Sequence, residues 1–88
     1  MALFAIIALK EANVAVDQAV ERLASPSYKV ESGKWIISSE LTTAKEVSTK
    51  LGLRETATHL VLSIRGYSGR AQPDLWEWLV AQSDKANA

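Results

Sequence analysis

The feature that most constrains the fold is an uninterrupted run of seven apolar residues near the N-terminus, from Leu3 to Leu9. A strand with one face in water alternates apolar and polar side chains, and this run does not. We therefore predict a strand at the centre of a sheet, with both of its faces covered. The run is too short to span a bilayer, which needs about 20 residues, and no basic residues precede it as they would in a signal peptide.

Composition limits the kinds of protein that the chain can be. Its 88 residues suffice for one domain, near the lower size at which a single core is stable by itself. It has no cysteine, which excludes disulfides and cysteine-rich zinc sites. Ten basic and ten acidic side chains give a formal net charge of zero, which argues against a general binder of polyanions. We expect a cytoplasmic protein with no membrane partner, no cofactor and no metal site.

A first helix is predicted from Val14 to Ala24, because apolar residues recur there at helical spacing while polar residues fill the opposite face. Asn13 stands where an N-cap is expected, since its side-chain oxygen can accept a hydrogen bond from a free amide of the first turn. Proline disfavours helical backbone at its own position and at the preceding one. The helix should therefore end before Pro26.

A second helix is predicted from Ala44 to Leu51 by signals at both of its ends. Thr43 and Glu46 match a capping box, in which the threonine oxygen accepts from the Glu46 amide and the carboxylate accepts from the Thr43 amide. Gly52 stands where the end of a helix favours a left-handed residue. The capping box is the strongest local signal in the chain.

Three further strands are predicted. Residues 28–31 and 34–38 flank Ser32-Gly33, a pair typical of a tight hairpin turn because glycine tolerates a positive φ angle. These two segments should pair as antiparallel neighbours, and the charged residues of the first indicate a sheet edge. The last strand is predicted from Thr58 to Arg65, with apolar residues at every second position.

The C-terminal part is predicted as a loop, Gly66 to Arg70, followed by a third helix. Gln72-Pro73-Asp74 is typical of a helix start, with proline at the first position and an acid near the positive end of the helix dipole. The helix is predicted from Pro73 to Gln82, and residues 83–88 should fray. Its apolar side chains should cover a sheet face of its own chain or of a partner. They are Leu75, Trp76, Trp78, Leu79 and Val80.

The order of elements is β-α-β-β-α-β-α, which predicts an α+β fold of the ferredoxin-like split βαβ type with one extra C-terminal helix. Its four strands should form an antiparallel sheet, with the first and third strands central and the second and fourth at the edges. The first two helices then cover one face, and the third helix is the candidate cover for the other. Residues 1–82 should form a single domain.

Three segments, ALFAIIAL, KWIISSELTTAKEV and HLVLSIRGYSG, resemble the small SinR-like proteins and, more distantly, the small subunit of the CRISPR spacer-acquisition complex. The resemblance covers about residues 2 to 67 and lies in the pattern of elements. Those proteins have a first strand, a helix, a hairpin whose second strand carries a tryptophan, and a fourth apolar strand. The resemblance implies the ferredoxin-like fold and a homodimer.

The chain departs from the CRISPR family at the residues that carry its chemistry. That family places an aspartate at the end of its first strand, where two subunits can share a metal ion, whereas this chain reads Ala8-Leu9-Lys10. The nearest acid, Glu11, lies past the predicted strand. The family also ends in a strand that pairs with its partner, and this chain ends in a predicted helix. A metal-dependent nuclease is therefore the least favoured function.

Two places in the chain resemble ligand or catalytic sites. His59 is the only histidine, and its neighbours Thr58 and Leu60 offer no acidic partner, so we interpret it as an ordinary residue at the start of a strand. Scattered serines could complete a triad with it, but no local signature points to one. The loop Gly66-Tyr67-Ser68-Gly69-Arg70 has the parts of an anion site, namely flexible amides, a hydroxyl and an arginine. A turn that needs glycines is the simpler interpretation.

Aromatic and charged residues suggest a binding surface. Tyr67, Trp76 and Trp78 could stack on nucleic-acid bases, and core packing or a dimer interface is the alternative. Trp78 lies off the centre of the apolar face of the third helix and is the better candidate for contact with a partner. A basic patch on the sheet would consist of Lys29, Lys34, Arg65 and Arg70. The acids interpreted as solvated are Glu11, Asp17, Glu21 and Glu40.

These observations favour a non-enzymatic interaction module that forms a homodimer through its sheet and C-terminal helix, with another protein as a further partner. The alternative is nucleic-acid binding through Arg65, Arg70 and the aromatic residues. No residue is assigned a catalytic or metal-binding role. The residues predicted to contact a ligand or partner are Arg65, Tyr67, Ser68, Gly69, Arg70 and Trp78.

Overall fold

The computed structural model describes residues 2–53, 57–71 and 73–87, and within them the chain forms four strands and three helices. The strands belong to one antiparallel sheet in the order β2-β3-β1-β4, which confirms the predicted α+β class and the central places of β1 and β3. The elements are β1 (Ala2–Ala8), α1 (Asn13–Leu23), β2 (Ser27–Glu31), β3 (Lys34–Ser39), α2 (Ala44–Leu51), β4 (His59–Ile64) and α3 (Pro73–Asn87).

The inner face of the sheet packs against α1 and α2 and forms the main core. Phe4 and Ile6 of β1 are fully buried, and they lie opposite Ile37 and Trp35 of β3. Because alternate residues of a strand point to opposite faces, these four side chains share one face. The helices and the segment after α2 complete this core with Val16, Ala19, Val20, Val47, Leu51 and Leu53.

The outer face of the sheet is covered only in part, so one prediction for β1 is wrong. Leu3, Ala5 and Ile7 point to this face and are half-buried rather than enclosed. Their neighbours on β4 are no better covered, since Leu60 and Leu62 are 43% and 44% exposed. The uninterrupted apolar run predicted the central position of β1 correctly and overestimated the cover on its second side.

Helix α3 lies on the outer face over the β2 side of the sheet. Tyr28 of β2 pairs with Ile36, which places its ring on that face, and the Trp78 ring lies 6.0 Å from it between centroids. Leu75 and Leu79 of α3 are buried. The third helix therefore covers the sheet of its own chain, one of the two possibilities that the sequence left open.

Several predicted helix ends differ from those observed. Helix α1 begins at Asn13, and its N-cap is Ala12 with no side-chain hydrogen bond, so the assignment of Asn13 as the cap is wrong. Helix α3 continues to Asn87, past the end predicted at Gln82, and Gln82 itself is buried. It begins at Pro73 as predicted, and Gln72, the first residue of the predicted start signal, lies outside the described residues.

The second helix has the predicted bounds, and its N-terminal cap differs in one bond. Thr43 Oγ1 accepts from the Glu46 amide at 3.1 Å, as predicted. The Glu46 carboxylate accepts from the hydroxyls of Thr42 and Thr43, at 2.9 and 3.0 Å, rather than from the Thr43 amide. Gly52 ends the helix at φ 70°, in the left-handed region that was expected.

Candidate interaction surface

An incompletely covered apolar area lies on the outer face of β1 and β4. The register sets Leu3 opposite Ile64, Ala5 opposite Leu62 and Ile7 opposite Leu60. These six side chains form a continuous area, which we call the apolar stripe. Leu60 and Leu62 are its most exposed members, since β4 is an edge strand with a described neighbour on one side only. A partner that binds here would contact aliphatic side chains.

The flank of α3 that faces away from β2 adds aromatic and aliphatic surface. Trp76 and Trp78 are two positions apart, so they point to nearly opposite sides of the helix. Trp78 contacts Tyr28, whereas the Trp76 ring stacks on Tyr67, after β4, at 6.0 Å and an interplanar angle of 24°. One turn beyond Trp76, Val80 is 53% exposed, although the sequence placed it in the covering stripe.

Among the described residues, β4 has a neighbouring strand on one side only, and its hydrogen-bond pattern tells which residues face the other side, which we call the free edge. The Leu9 amide donates to the Thr58 carbonyl at 2.9 Å, so residue 58 bonds toward β1. Direction alternates along an antiparallel strand, and residues 60, 62 and 64 therefore also bond toward β1. The amides and carbonyls of His59, Val61 and Ser63 consequently point away from the sheet.

His59 is tied to α2 by a pair that the sequence did not reveal. Its Nε2 lies 2.9 Å from Ser48 Oγ, and its Nδ1 lies 3.0 Å from the carbonyl oxygen of Ala57. A nitrogen beside a carbonyl must carry the proton, so we assign the hydrogen to Nδ1 and the Ser48 hydroxyl as donor to Nε2. The two residues are far apart in the chain and form no motif, which is why sequence patterns missed Ser48.

This pair resembles half of a nucleophilic triad, and its setting indicates a structural tether. A backbone carbonyl orients the imidazole, where a hydrolase uses a carboxylate that stabilises the imidazolium formed during the reaction. Ser48 lies within α2, whose amides bond along the helix and are not free to stabilise an oxyanion. We therefore interpret the Ser48–His59 hydrogen bond as the link that holds the start of β4 against α2.

Asp17 is the most heavily bonded acid described, which overturns its interpretation as a solvated residue. Its Oδ1 accepts from the Gly33 amide and from Trp35 Nε1, both at 2.7 Å, and its Oδ2 accepts from Ser32 Oγ at 2.9 Å. Lys29 Nζ lies 3.5 Å from Oδ2. One carboxylate thus ties α1 to the hairpin of β2 and β3, and we call this group the Asp17 clamp.

The hydrogen bonds of the Asp17 clamp favour the ionised form of the Asp17 carboxyl. Burial by itself would raise the pKa of this carboxyl, but hydrogen bonds from Trp35, Gly33 and Ser32 and the positive charge of Lys29 lower the pKa below its ordinary value. The net direction is downward because the carboxylate accepts from three donors in the folded state. Asp17 is therefore ionised at neutral pH and positions the hairpin.

The basic residues do not form the patch that the sequence suggested. Lys29 belongs to the Asp17 clamp, and Lys34 lies 3.5 Å from Glu31. Lys34 pairs with Ile7, at one end of β1, whereas Arg65 follows Ile64 at the other end. The four basic residues therefore do not converge on one part of the sheet.

The loop residues predicted as contacts lie on the surface, and one of them has an aromatic partner. The exposed loop residues are Arg65, Tyr67, Ser68, Gly69 and Arg70. Tyr67 is brought to Trp76 and not to Trp78, which packs on Tyr28 at the opposite flank of α3. The predicted contact residues are thus divided between the two flanks of the helix.

A cavity of about 350 Å³ lies between the end of α1, α2 and β3. Its volume would suit a small ligand. Polar groups in its wall already bond within the chain, because Ser39 Oγ accepts from the Leu41 amide and the Pro26 carbonyl accepts from the Ser38 amide. The wall also carries Ser25, Glu40 and Lys50, and we assign no function to the cavity.

Metal chemistry has no visible site in the described part of the chain, where no three His, Asp or Glu side chains form a group that could hold an ion. Glu11, the acid nearest the end of β1, is exposed beside Lys10. Within the same residues, none of the helices has both the length and the apolar character needed to cross a membrane.

Comparison with known proteins does not identify a family. No family model matches the chain, and no curated protein matches it either. The resemblance to SinR-like proteins therefore stays a prediction, and the functional argument depends on the geometry of the surface.

Proposed function

We propose that this protein is a non-enzymatic interaction module that forms a homodimer through the outer face of its sheet and the adjoining flank of α3. The observation that carries the proposal is the exposure of Leu60 and Leu62, at 43% and 44%, within a continuous apolar stripe. Scattered apolar residues on a surface need no explanation, whereas a contiguous apolar area is typical of a binding site.

Covering this surface would contribute favourably to the free energy of association. Covering the exposed part of one leucine side chain is worth about 1 kcal/mol, since full burial is worth about 1.5 to 3 kcal/mol. A two-fold dimer covers each residue twice, once in each copy. A typical stable interface takes about 800 Å² from each partner, and the whole chain exposes 5763 Å². The stripe together with the Trp76 flank of α3 would supply the apolar centre of such an interface.

A second copy is the occupant that the chain itself favours. Its formal net charge is zero, so two copies approach without net repulsion. An 88-residue domain also has a small core, and association adds buried area that a monomer of this size lacks. The surface in question is aliphatic, and an aliphatic surface is complementary to itself.

The proposal is tested by light scattering after size-exclusion chromatography at high micromolar concentration. We expect a mass near twice 9.6 kDa for the wild type and a monomer for Leu62→Glu, which places a charge in the stripe. The matched control is Val14→Glu, because Val14 is 67% exposed on α1, on the other side of the sheet. The control should remain a dimer. A monomeric wild type, or a Leu62→Glu variant that stays dimeric, would overturn the proposal.

A second candidate is nucleic-acid binding, favoured by the stacked Tyr67 and Trp76 rings beside the exposed Arg65 and Arg70. It has less support, because Trp76 already occupies one face of the Tyr67 ring and the other basic residues lie elsewhere. The measurement is a salt series with a single-stranded oligonucleotide, for the wild type and for a double Arg65→Ala, Arg70→Ala variant. Binding that weakens with salt and is lost in the variant is expected for this function, and absence of binding at low salt removes it.

A further inference from the structure

We infer that two copies of the chain join β4 to β4 in antiparallel orientation about a two-fold axis at Leu62, which extends the sheet to eight strands. This inference rests on the homodimerisation proposed above and places its main contact at the edge of β4, where Leu60, Leu62 and Ile64 of the two apolar stripes would meet side by side. It depends on the free edge of β4, a separate feature from the apolar face.

The exposure of the stripe is explained by a missing lateral neighbour. On β1, Leu3, Ala5 and Ile7 have strands on both sides and are half-buried, while Leu60 and Leu62 on β4 have a neighbour on one side only. A strand added at this edge would supply the missing cross-strand contacts. It would also pair the backbone groups of His59, Val61 and Ser63, which point away from the sheet.

Within residues 59–64, three of the features that commonly prevent such pairing are absent. Natural edge strands are commonly protected by charged side chains, prolines or bulges. Between His59 and Ile64 the chain reads HLVLSI, without lysine, arginine, acid or proline, and its pairing with β1 runs without a register shift. The one ionisable side chain of the strand, His59, is held on the inner face by Ser48.

Backbone direction restricts the possible registers. A residue whose amide and carbonyl point to the free edge must lie opposite another such residue of the second copy. Such residues alternate along the strand. The two-fold axis must therefore pass through a residue and cannot pass between two residues. A centre at Leu62 sets Leu60 opposite Ile64 and Leu62 opposite its own copy. A centre at Val61 instead sets Ile64 opposite Thr58, with less apolar contact. The Leu62 register also joins Val61 and Ser63 of the two copies by about four backbone hydrogen bonds.

Cysteine cross-linking tests this register directly, because the chain has no cysteine of its own. Leu62→Cys places two thiols opposite each other at a non-hydrogen-bonded pair, where Cα atoms are about 4.5 Å apart and a disulfide can form. The control, Leu60→Cys, alters an equally exposed leucine on the same strand. Its two copies would be four residues out of register, about 14 Å apart and too far for a disulfide. We expect the Leu62→Cys variant to oxidise rapidly to a covalent dimer. The Leu60→Cys variant should form little covalent dimer.

A backbone substitution provides the second, independent test. Ser63→Pro removes an amide that points to the free edge, so the pairing of β4 with β1 keeps its hydrogen bonds. The matched control, Ser63→Ala, removes the same hydroxyl and keeps the amide. We expect Ser63→Pro to weaken dimerisation at least tenfold by sedimentation equilibrium, with a far-ultraviolet circular dichroism spectrum like that of Ser63→Ala, which should remain dimeric.

The outcomes separate this inference from the proposed function. A wild type that is monomeric removes both. A dimer that oxidises faster at Val61→Cys than at Leu62→Cys overturns the Leu62 register. A dimer in which Leu60→Cys cross-links as fast as Leu62→Cys, or which a folded Ser63→Pro variant keeps at full affinity, overturns the edge pairing and leaves packing of the outer faces as the contact. If Ser63→Pro does not fold, the cysteine series alone decides.

Discussion

The two edge strands of the sheet, β2 and β4, differ in how far they are protected from pairing with another strand. β2 has five residues, two of them the charged Lys29 and Glu31, and its register with β3 shifts between these two positions. One of its faces lies under Trp78, and the Asp17 clamp holds the other side. β4 has six residues, an even register and exposed leucines.

The comparison teaches that the ability of an edge strand to pair with another strand depends on the elements that cover it as much as on its own residues. An irregular, charged and partly covered edge such as β2 is a poor template for another strand. A regular, uncharged edge with an apolar face is a good one. The charges and the clamp are concentrated at β2, while β4 retains the surface on which our functional proposal depends.

Removal of the Asp17 clamp should give the largest effect. Asp17→Ala leaves the Gly33 amide and Trp35 Nε1 without their acceptor, and hydrogen bonds to a charged group are worth about 1.5 to 3 kcal/mol each. Because such losses are not additive, we expect the free energy of unfolding to fall by about 3 kcal/mol in urea titrations. Glu21→Ala, at an exposed acid of the same helix, is the matched control and should change it by less than about 0.5 kcal/mol. Equal losses in the two variants would contradict the clamp.

The same clamp predicts a pH dependence. Since the folded pKa of Asp17 is lowered, its contribution to stability is complete above the unfolded value of about 3.9 and is lost as the pH falls through the folded pKa. The difference in unfolding free energy between the wild type and Asp17→Asn should therefore be constant from about pH 7 to pH 5 and shrink below about pH 4. A difference that grows on acidification would contradict the assignment.

The hairpin turn beside the clamp should be nearly as sensitive. Gly33 has φ 81°, and an added Cβ would overlap Asn13 Oδ1 and lie 2.9 Å from Ala8 Cβ. We expect Gly33→Ala to lower the free energy of unfolding by about 2 kcal/mol, from left-handed strain plus the clash. Gly52→Ala is the control, since Gly52 has φ 70° with no atom near its Cβ, and should cost about 1 kcal/mol. An equal loss in both variants would mean that the close approach to α1 has no cost.

A charged residue placed on β4 should make this strand, like β2, a poor template for pairing with another strand. Ser63→Lys adds a lysine to the strand at an exposed position opposite Val61 of the other copy in the Leu62 register. We expect the dimer dissociation constant to rise about tenfold, which corresponds to about 1.4 kcal/mol, while the unfolding free energy of the monomer changes by less than about 0.5 kcal/mol. Sedimentation equilibrium and urea titration measure the two quantities, and an unchanged dissociation constant would weaken the contrast between the edges.

The tether at the start of β4 should give the smallest effect. Ser48→Ala removes one neutral hydrogen bond to His59, worth about 1 kcal/mol of unfolding free energy. Thr49→Ala, at the next position, removes a hydroxyl that bonds only to the Lys45 carbonyl of its own helix, and should be close to neutral. If Ser48→Ala is as neutral as Thr49→Ala, the pair does not hold β4 against α2.

Local patterns predicted most of the secondary structure because their causes are local. The Thr43 cap and the glycines at positions 33 and 52 act within one turn of chain. The structure places them as predicted, except that the Glu46 carboxylate accepts from the Thr42 and Thr43 hydroxyls instead of the Thr43 amide. The predicted contact residues stay a prediction. Trp78, one of them, packs on Tyr28 of its own chain, and the exposed leucines of β4 were not among them.

By itself, the sequence determined the element order, the central places of β1 and β3, and which residues of each strand share a face, since these follow from the periodicity of neighbouring residues. The tertiary structure alone decided that Asp17 joins α1 to the hairpin, that Ser48 meets His59, and that α3 covers the β2 side and leaves β4 open. Each of these depends on the approach of segments distant in the chain. Such approaches are set by the packing of whole elements, which no local pattern of residues records.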